Sequence, residues 1–267
     1  MTPATFFDAL WDDFTSIAPA AAAIRQHLVD AGEAVHNDHV AFRTFNQGPV
    51  RLDALEQPLL DMGFARDGAY TFEAKKLRAF GYRHADPAVP LVFLSELRTE
   101  LCSPELQRVV SGLLEQVPAD WLTGPEVFWS GRPWAPVAES TYKALQAESE
   151  YAAWLAALGF RANHFTVSIN ALSPQLRSVD AVLRFVEARG YRVNASGGRV
   201  KGSPQDLLEQ GSTMADQVAV PFAEGERVVP TCYYEFALRH PQPDGSLYRG
   251  FVAASADRIF ESTDARR

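Results

Sequence analysis

NHFTVSIN, residues 163–170, alternates in character: in an extended strand Phe165, Val167 and Ile169 face one side, and His164, Thr166, Ser168 and Asn170 the other. DHVAFRTF, residues 38–45, repeats the design, with Val40, Phe42 and Thr44 on one side and His39, Ala41, Arg43 and Phe45 on the other. TCYYEFALRH, residues 231–240, does so a third time: Tyr234, Phe236 and Leu238 oppose Tyr233, Glu235, Ala237 and Arg239. Each stretch therefore predicts a strand with an apolar face, suited to packing under helices, and a face that carries an ionisable group. An antiparallel sheet with one side in water would explain this. Convergence of the polar faces inside a curved sheet would also explain it. The residue types favour the cavity, because solvated strand faces are usually rich in Lys, Glu and Thr.

Outward from these strands, the chain repeats itself. The first is followed by a helix over 52–62 that Gly63-Phe64 closes, then by strand-like runs near 69–82 and 90–97. Pro58 predicts a kink or a later start in that helix. The second is followed by a helix over 179–189 that Gly190-Tyr191 closes, then by strand-like pieces near 191–202, 215–222 and 230–240. His39 and His164 stand near the start of the two equivalent strands, 125 residues apart. The order of elements reads as two βαβββ units. Residues 5–31 read as two helices, the second started by Pro19 at its first turn. Residues 99–158 are helical at both ends around a Trp-, Pro- and Gly-rich middle, and read as an insertion that packs on the main body. The expected fold is α+β: one domain with a curved mixed sheet around a metal site. Its parts are N-terminal helices (1–34), a first βαβββ unit (35–98), a helical insertion (99–160), a second βαβββ unit (161–240) and a C-terminal tail (241–267).

His39, His164 and Glu235 share the polar faces. Two His and one carboxylate are the facial triad of mononuclear non-haem Fe(II). One carboxylate leaves a net charge of +1, and three protein ligands leave open positions for substrate and O₂, whereas a structural zinc site would be closed. His36, His27, His84 and His240 lie on a loop, on an Ala-rich helix and near turns, and are read as surface or core residues. GGRVKGS (197–203) has Lys before Gly, so it is not a P-loop; a turn and strand is the better reading, with Lys201 near the site. No G-x-G-x-x-G, G-x-S-x-G or H-E-x-x-H occurs, so a Ser–His hydrolase has no recognisable nucleophile.

Composition narrows the field further. The chain has 267 residues, 47% hydrophobic and 22% charged, which is the balance of a globular protein rather than a disordered one. Its net charge of −8, without a basic stripe, speaks against nucleic acid and against an anionic membrane. No apolar run approaches the ~20 residues of a membrane span. The N-terminus carries Asp8, Asp12 and Asp13 and no basic region, unlike a secretory signal. Two cysteines, Cys102 and Cys232, form no C-x-x-C and read as buried thiols in a reducing, cytoplasmic compartment.

DHVAFRTF, NHFTVSIN, EQGSTMADQV (209–218) and YYEFALR (233–239), taken together, resemble the 2-oxoadipate dioxygenase/decarboxylase family over roughly residues 35–240. The resemblance implies a fold similar to vicinal oxygen chelate proteins, and Fe(II) held by His39, His164 and Glu235. It implies that Arg43 holds the substrate. The implied reaction converts 2-oxoadipate and O₂ to 2-hydroxyglutarate and CO₂, a step of lysine catabolism. A 2-oxo acid can chelate iron through its carboxylate and keto oxygen, and in an acidic protein Arg43 supplies a second positive centre. Four strand residues separate His39 and Arg43 by roughly 13 Å, so Arg43 can meet the far carboxylate of a short substrate with its planar fork. Two other readings of the same residues remain open: divalent-metal isomerase or lyase chemistry without O₂, and a non-catalytic small-acid-binding module.

Overall fold

A computed structural model describes residues 1–118, 120–121, 124–252 and 260–263. The helices are α1 (Pro3–Ile17), α2 (Pro19–Asp30), α3 (Leu52–Leu55), α4 (Gln57–Asp61), α5 (Pro104–Leu114), α6 (Glu139–Glu148), α7 (Glu150–Leu158) and α8 (Val179–Glu187). The strands are β1 (Asn37–Phe45), β2 (Phe64–Phe72), β3 (Leu77–His84), β4 (Leu91–Leu97), β5 (Ala162–Ser168), β6 (Lys201–Ser203), β7 (Leu208–Ser212), β8 (Gln217–Phe222), β9 (Gly225–Pro230) and β10 (Tyr233–Arg239).

Eight strands form one mixed sheet in the order β2-β3-β4-β1-β5-β10-β7-β6. Its symmetry is visible in that order. In each half the first strand pairs parallel with the last, β1 with β4 and β5 with β10, and the two halves join through the antiparallel pair β1–β5. The two βαβββ units are thus halves of a single curled sheet. β1 carries two register shifts against β5, one between Asn37 and His39 and one between Ala41 and Phe42. Such bulges bend a strand and re-aim its side chains.

One face of the sheet is sealed by helices. Phe14 of α1 lies 5.0 Å from Phe165, and Trp11 lies 5.2 Å from Phe165 and 5.8 Å from Tyr234, between ring centroids. The apolar sides of β5 and β10 therefore bury against α1, at roughly 1.5–3 kcal/mol for each large side chain taken from water. α8 approaches β7 so closely that a Cβ on Gly211 would stand 2.7 Å from Val179 and 2.9 Å from Leu183. Two N-terminal helices, Pro19 at the first turn of α2, and the helix-closing Gly63 and Gly190 (φ +91° and +88°) agree with the sequence reading.

Other elements differ from it. The helix expected over 52–62 is split at Glu56 into α3 and α4, with Pro58 in the first turn of the second piece, where its missing N–H costs nothing. The run expected near 69–82 is two strands, β2 and β3, parted by a tight turn that ends with Lys76 in the left-handed region. In the second unit the same turn ends with Leu207, between β6 and β7. Of the expected 191–202 strand only residues 201–202 fall in a strand of the sheet, β6, and β7 goes unrecognised in the sequence. The expected strand near 215–222 forms β8, which pairs only with β9 in a separate hairpin.

The insertion supplies α5, α6 and α7. Every residue of α7 from Tyr151 to Leu158 is buried, as expected of a helix without a polar side. Tyr151 Oη accepts the Thr44 N–H at 3.0 Å and donates to the Ser95 carbonyl at 2.7 Å, which pins α7 to β1 and β4. Residues 253–259 and 264–267 of the expected tail lie outside the described residues. Its described part meets the sheet again: Ser262 Oγ bonds Asn194 and Ser212, and Thr263 bonds Arg43. No described helix is long and apolar enough to cross a membrane. Cys102 and Cys232 are free and buried.

Candidate metal centre

The strand register arranges the uncovered face in rows. His39 of β1 and Glu235 of β10 both pair with Thr166 of β5, which makes one row. Ala41 and Tyr233 both pair with His164, which makes the next. Arg43 stands one step further along β1. His39 and His164, expected as equivalents from two repeats, thus meet a carboxylate from a third strand.

The three side chains converge. His39 Nε2 lies 3.4 Å from Glu235 Oε1, and His164 Nε2 lies 3.5 Å from Glu235 Oε2. The imidazole centroids are 5.5 Å apart. All three residues are buried, with relative exposures of 2%, 5% and 0%. Among the described residues they are the one group of His, Cys, Asp or Glu side chains able to hold a metal ion. Thr166 Oγ1 lies 3.1 Å from His39 Nε2.

Each histidine is oriented by the residue before it. His39 Nδ1 lies 2.7 Å from Asp38 Oδ1, and His164 Nδ1 lies 3.1 Å from Asn163 Oδ1. An acceptor at Nδ1 fixes the proton there and leaves the Nε2 lone pair for a cation. Arg239 in turn holds Asp38 with Nε–Oδ2 at 2.7 Å and Nη2–Oδ1 at 2.8 Å. Gln210 Nε2 donates to Glu235 Oε1 at 2.6 Å. Sequence reading did not pick out these supports. The visible signal for them is the Asp38-His39 and Asn163-His164 pairs, and alternation puts Arg239 on the face of Glu235.

Electrostatics suit a cation. Burial, with lesser contributions from His39 and Arg43, holds His164 well below the usual imidazole value, so it is a neutral donor. Burial raises the Glu235 carboxyl, against His39 and the Gln210 hydrogen bond, which lower it. Glu235 Oε2 is buried and has no hydrogen-bond partner. A divalent ion between the two Nε2 atoms and this carboxylate would satisfy that oxygen and offset the cost of its charge. The N₂O donor set fits such an ion.

Arg43 is buried at the far end of the face. Its guanidinium carbon lies 5.1 Å from the Tyr151 ring centroid and 5.0 Å from that of Trp154. Nη1 lies 3.5 Å from Glu150 Oε1 and Nη2 3.1 Å from Thr263 Oγ1. The insertion and the tail therefore build the surroundings of Arg43. At the other end Phe251 stands edge-on to His39, with centroids 5.0 Å apart. A cleft of about 490 Å³ opens beyond that end and is lined by Asp38, Arg239 and Arg249 among others; it reaches the supports of His39 rather than the three converging atoms. Lys201 is not at the centre. It lies on edge strand β6 and donates to the Asn194 carbonyl at 2.5 Å. His36 lines the cleft, His240 bonds Glu209 at 2.8 Å, His84 contacts Phe64, and His27 contacts Tyr191.

Comparison with known proteins bears on this centre. The family model described as 2-oxoadipate dioxygenase/decarboxylase matches residues 9–119 and 127–246. A curated relative from Arabidopsis thaliana, named 2-oxoadipate dioxygenase/decarboxylase, chloroplastic, is 34% identical over 250 residues, 85% of this chain and 67% of that protein. The Oryza sativa hydroxyglutarate synthase, solved in complex with 2-oxoadipate, is 31% identical with a TM-score of 0.92, over 98% of this chain and 92% of that one. A Shewanella frigidimarina structure, provisionally termed a hydrolase, is 49% identical with a TM-score of 0.89, over 94% and 98% of the two chains. A Ralstonia eutropha protein provisionally placed in the glyoxalase superfamily, 22% identical over 93% of this chain and 85% of that one, shares the fold with a TM-score of 0.81, in keeping with a vicinal-oxygen-chelate-like architecture.

Proposed function

The chain belongs to the 2-oxoadipate dioxygenase/decarboxylase family, and from that premise we propose that it is an Fe(II)-dependent enzyme that converts 2-oxoadipate and O₂ to 2-hydroxyglutarate and CO₂. The observation that carries the reading is the meeting of His39, His164 and Glu235 from three strands, with His39 Nε2 facing Glu235 Oε1, His164 Nε2 facing Oε2, and Oε2 without a hydrogen-bond partner.

The equation balances without an external reductant. Loss of CO₂ from the 2-oxo acid supplies two electrons, hydroxylation of the shortened chain supplies two more, and both oxygen atoms of O₂ enter the products. Bound at the three residues, Fe(II) would supply the activation of O₂ and the decarboxylation. The protein orients the reactants. Asp38 and Asn163 hold the imidazoles in the tautomer that presents Nε2. Glu235 lowers the charge of the site to one that still favours an anionic substrate. Arg43, one row beyond Ala41 on β1, is the candidate partner for the distal carboxylate, with Tyr151 and Trp154 holding its guanidinium plane. Buried walls exclude water from the reacting end.

The two buried free thiols support a reducing, cytoplasmic setting, and family membership suggests a place in lysine breakdown. The test is oxygen uptake by Fe(II)-reconstituted protein across a panel of 2-oxo acids. The expected result is uptake with 2-oxoadipate that is lost when Zn, Ni or Mn replaces Fe(II). Turnover under argon would favour isomerase or lyase chemistry and overturn the proposal.

A further inference from the structure

Tyr233 occupies the row of His164, between the row of His39 and Glu235 and the position of Arg43. It pairs with His164 across β10 and β5, and Ala41 pairs with the same histidine from the other side. Its ring stacks on the His164 imidazole, with centroids 4.6 Å apart and planes 22° from parallel. A phenol is longer than an imidazole. With the two rings stacked, the Tyr233 hydroxyl lies on the same face of the sheet as the three converging side chains. Ala41 contributes only a methyl group to this row.

The hydroxyl is buried and has no hydrogen-bond partner. A buried donor left unpaired costs stability, so its presence calls for a compensating role. Tyr234 provides a contrast: its hydroxyl is also unpartnered, but it lies on the helix-covered face against Trp11.

We propose that Tyr233 is a substrate-binding residue, whose O–H donates a hydrogen bond to the 2-oxo acid head group beside the metal and fixes its orientation on the way to Arg43. This deepens the functional reading above and rests on it. Tyr233 would then set the position of the head group while His39, His164 and Glu235 set that of the metal, so the two functions are separable by mutation.

The experiment compares wild type, Tyr233→Phe and Tyr234→Phe by three measurements: metal content, melting temperature without substrate, and affinity of the Fe(II)-loaded protein for 2-oxoadipate under argon. Tyr233→Phe keeps the ring and its stacking. It is expected to retain metal, to melt at or above the wild-type temperature because an unpaired hydroxyl is removed, and to bind 2-oxoadipate roughly ten- to a hundredfold more weakly. Tyr234→Phe is expected to match it in melting temperature and to bind like wild type. Unchanged affinity in Tyr233→Phe, or a loss of metal or of thermal stability in that variant, overturns the proposal while wild-type binding leaves the family reading standing. Absence of 2-oxoadipate binding by wild type overturns both.

Discussion

Asp38 and Arg239 form a two-point ion pair behind His39: Nε–Oδ2 is 2.7 Å, Nη2–Oδ1 is 2.8 Å, and the same Oδ1 lies 2.7 Å from His39 Nδ1. Both side chains are 5% exposed. Burial alone would raise the Asp38 carboxyl, but Arg239 and His39 outweigh it and hold it far below the usual carboxylate range. A depressed carboxylate contributes stability above its unfolded-state value, near 3.9, and loses it as pH falls toward the folded value. Asp38→Asn leaves a buried guanidinium without its charge partner. The expected cost is about 3–5 kcal/mol at neutral pH, with a flatter acid limb than wild type in denaturant titrations at stepped pH. Metal affinity is expected to fall about 10- to 100-fold, as on loss of a hydrogen bond behind a ligand. Equal stability and equal metal affinity would show that the pair does not support His39.

The contact between α8 and β7 tests the second half of the sheet. Gly211→Ala places a methyl 2.7 Å from Val179 and 2.9 Å from Leu183. Overpacking of this kind is expected to cost about 1–3 kcal/mol, read as a shift in the urea midpoint at constant slope. Gly112→Ala on α5 is the control. Its new methyl meets nothing within 4 Å, so helix propensity alone is expected to stabilise by about 0.5–1 kcal/mol.

Arg43 tests the dicarboxylate reading. Arg43→Ala is expected to lower kcat/KM for 2-oxoadipate by roughly 10- to 150-fold, the equivalent of a charged hydrogen-bond pair, with metal content unchanged. A 2-oxo acid with an apolar tail is expected to lose much less. An equal fall for both substrates would assign Arg43 to holding Glu150, Thr263 and α7 in place rather than to the distal carboxylate.

The strands that carry the candidate chemistry were legible because period-two alternation is written into adjacent residues. Phe165 packs under α1 and away from His164, and Val167 is buried, as their spacing requires. The equivalence of His39 and His164 was legible for the same reason. What the sequence hid is non-local or short. The bulges around His39–Ala41 depend on β5, and the Asp38–Arg239 pair joins opposite ends of the chain. β6 has three residues, too few to show a period, and β8 has strand composition but finds its partner in β9 rather than in the sheet. Lys76 and Leu207 adopt left-handed backbone where glycine would have advertised the turn. The burial of α7 follows from its uniformly apolar surface, yet its role beside Arg43 emerges only when Tyr151 and Trp154 are seen flanking the guanidinium.

The central claim is that His39, His164 and Glu235 hold Fe(II) with positions left for a 2-oxo acid and O₂. It is tested most directly by absorption spectroscopy of the Fe(II)-loaded protein under argon during titration with 2-oxoadipate, followed by admission of O₂. The expected result is a visible charge-transfer band that saturates at one 2-oxoadipate per iron, fades as O₂ is consumed, and is absent in Glu235→Ala. A band that persists in Glu235→Ala, or iron and substrate that bind without any band and without sensitivity to O₂, would contradict the account.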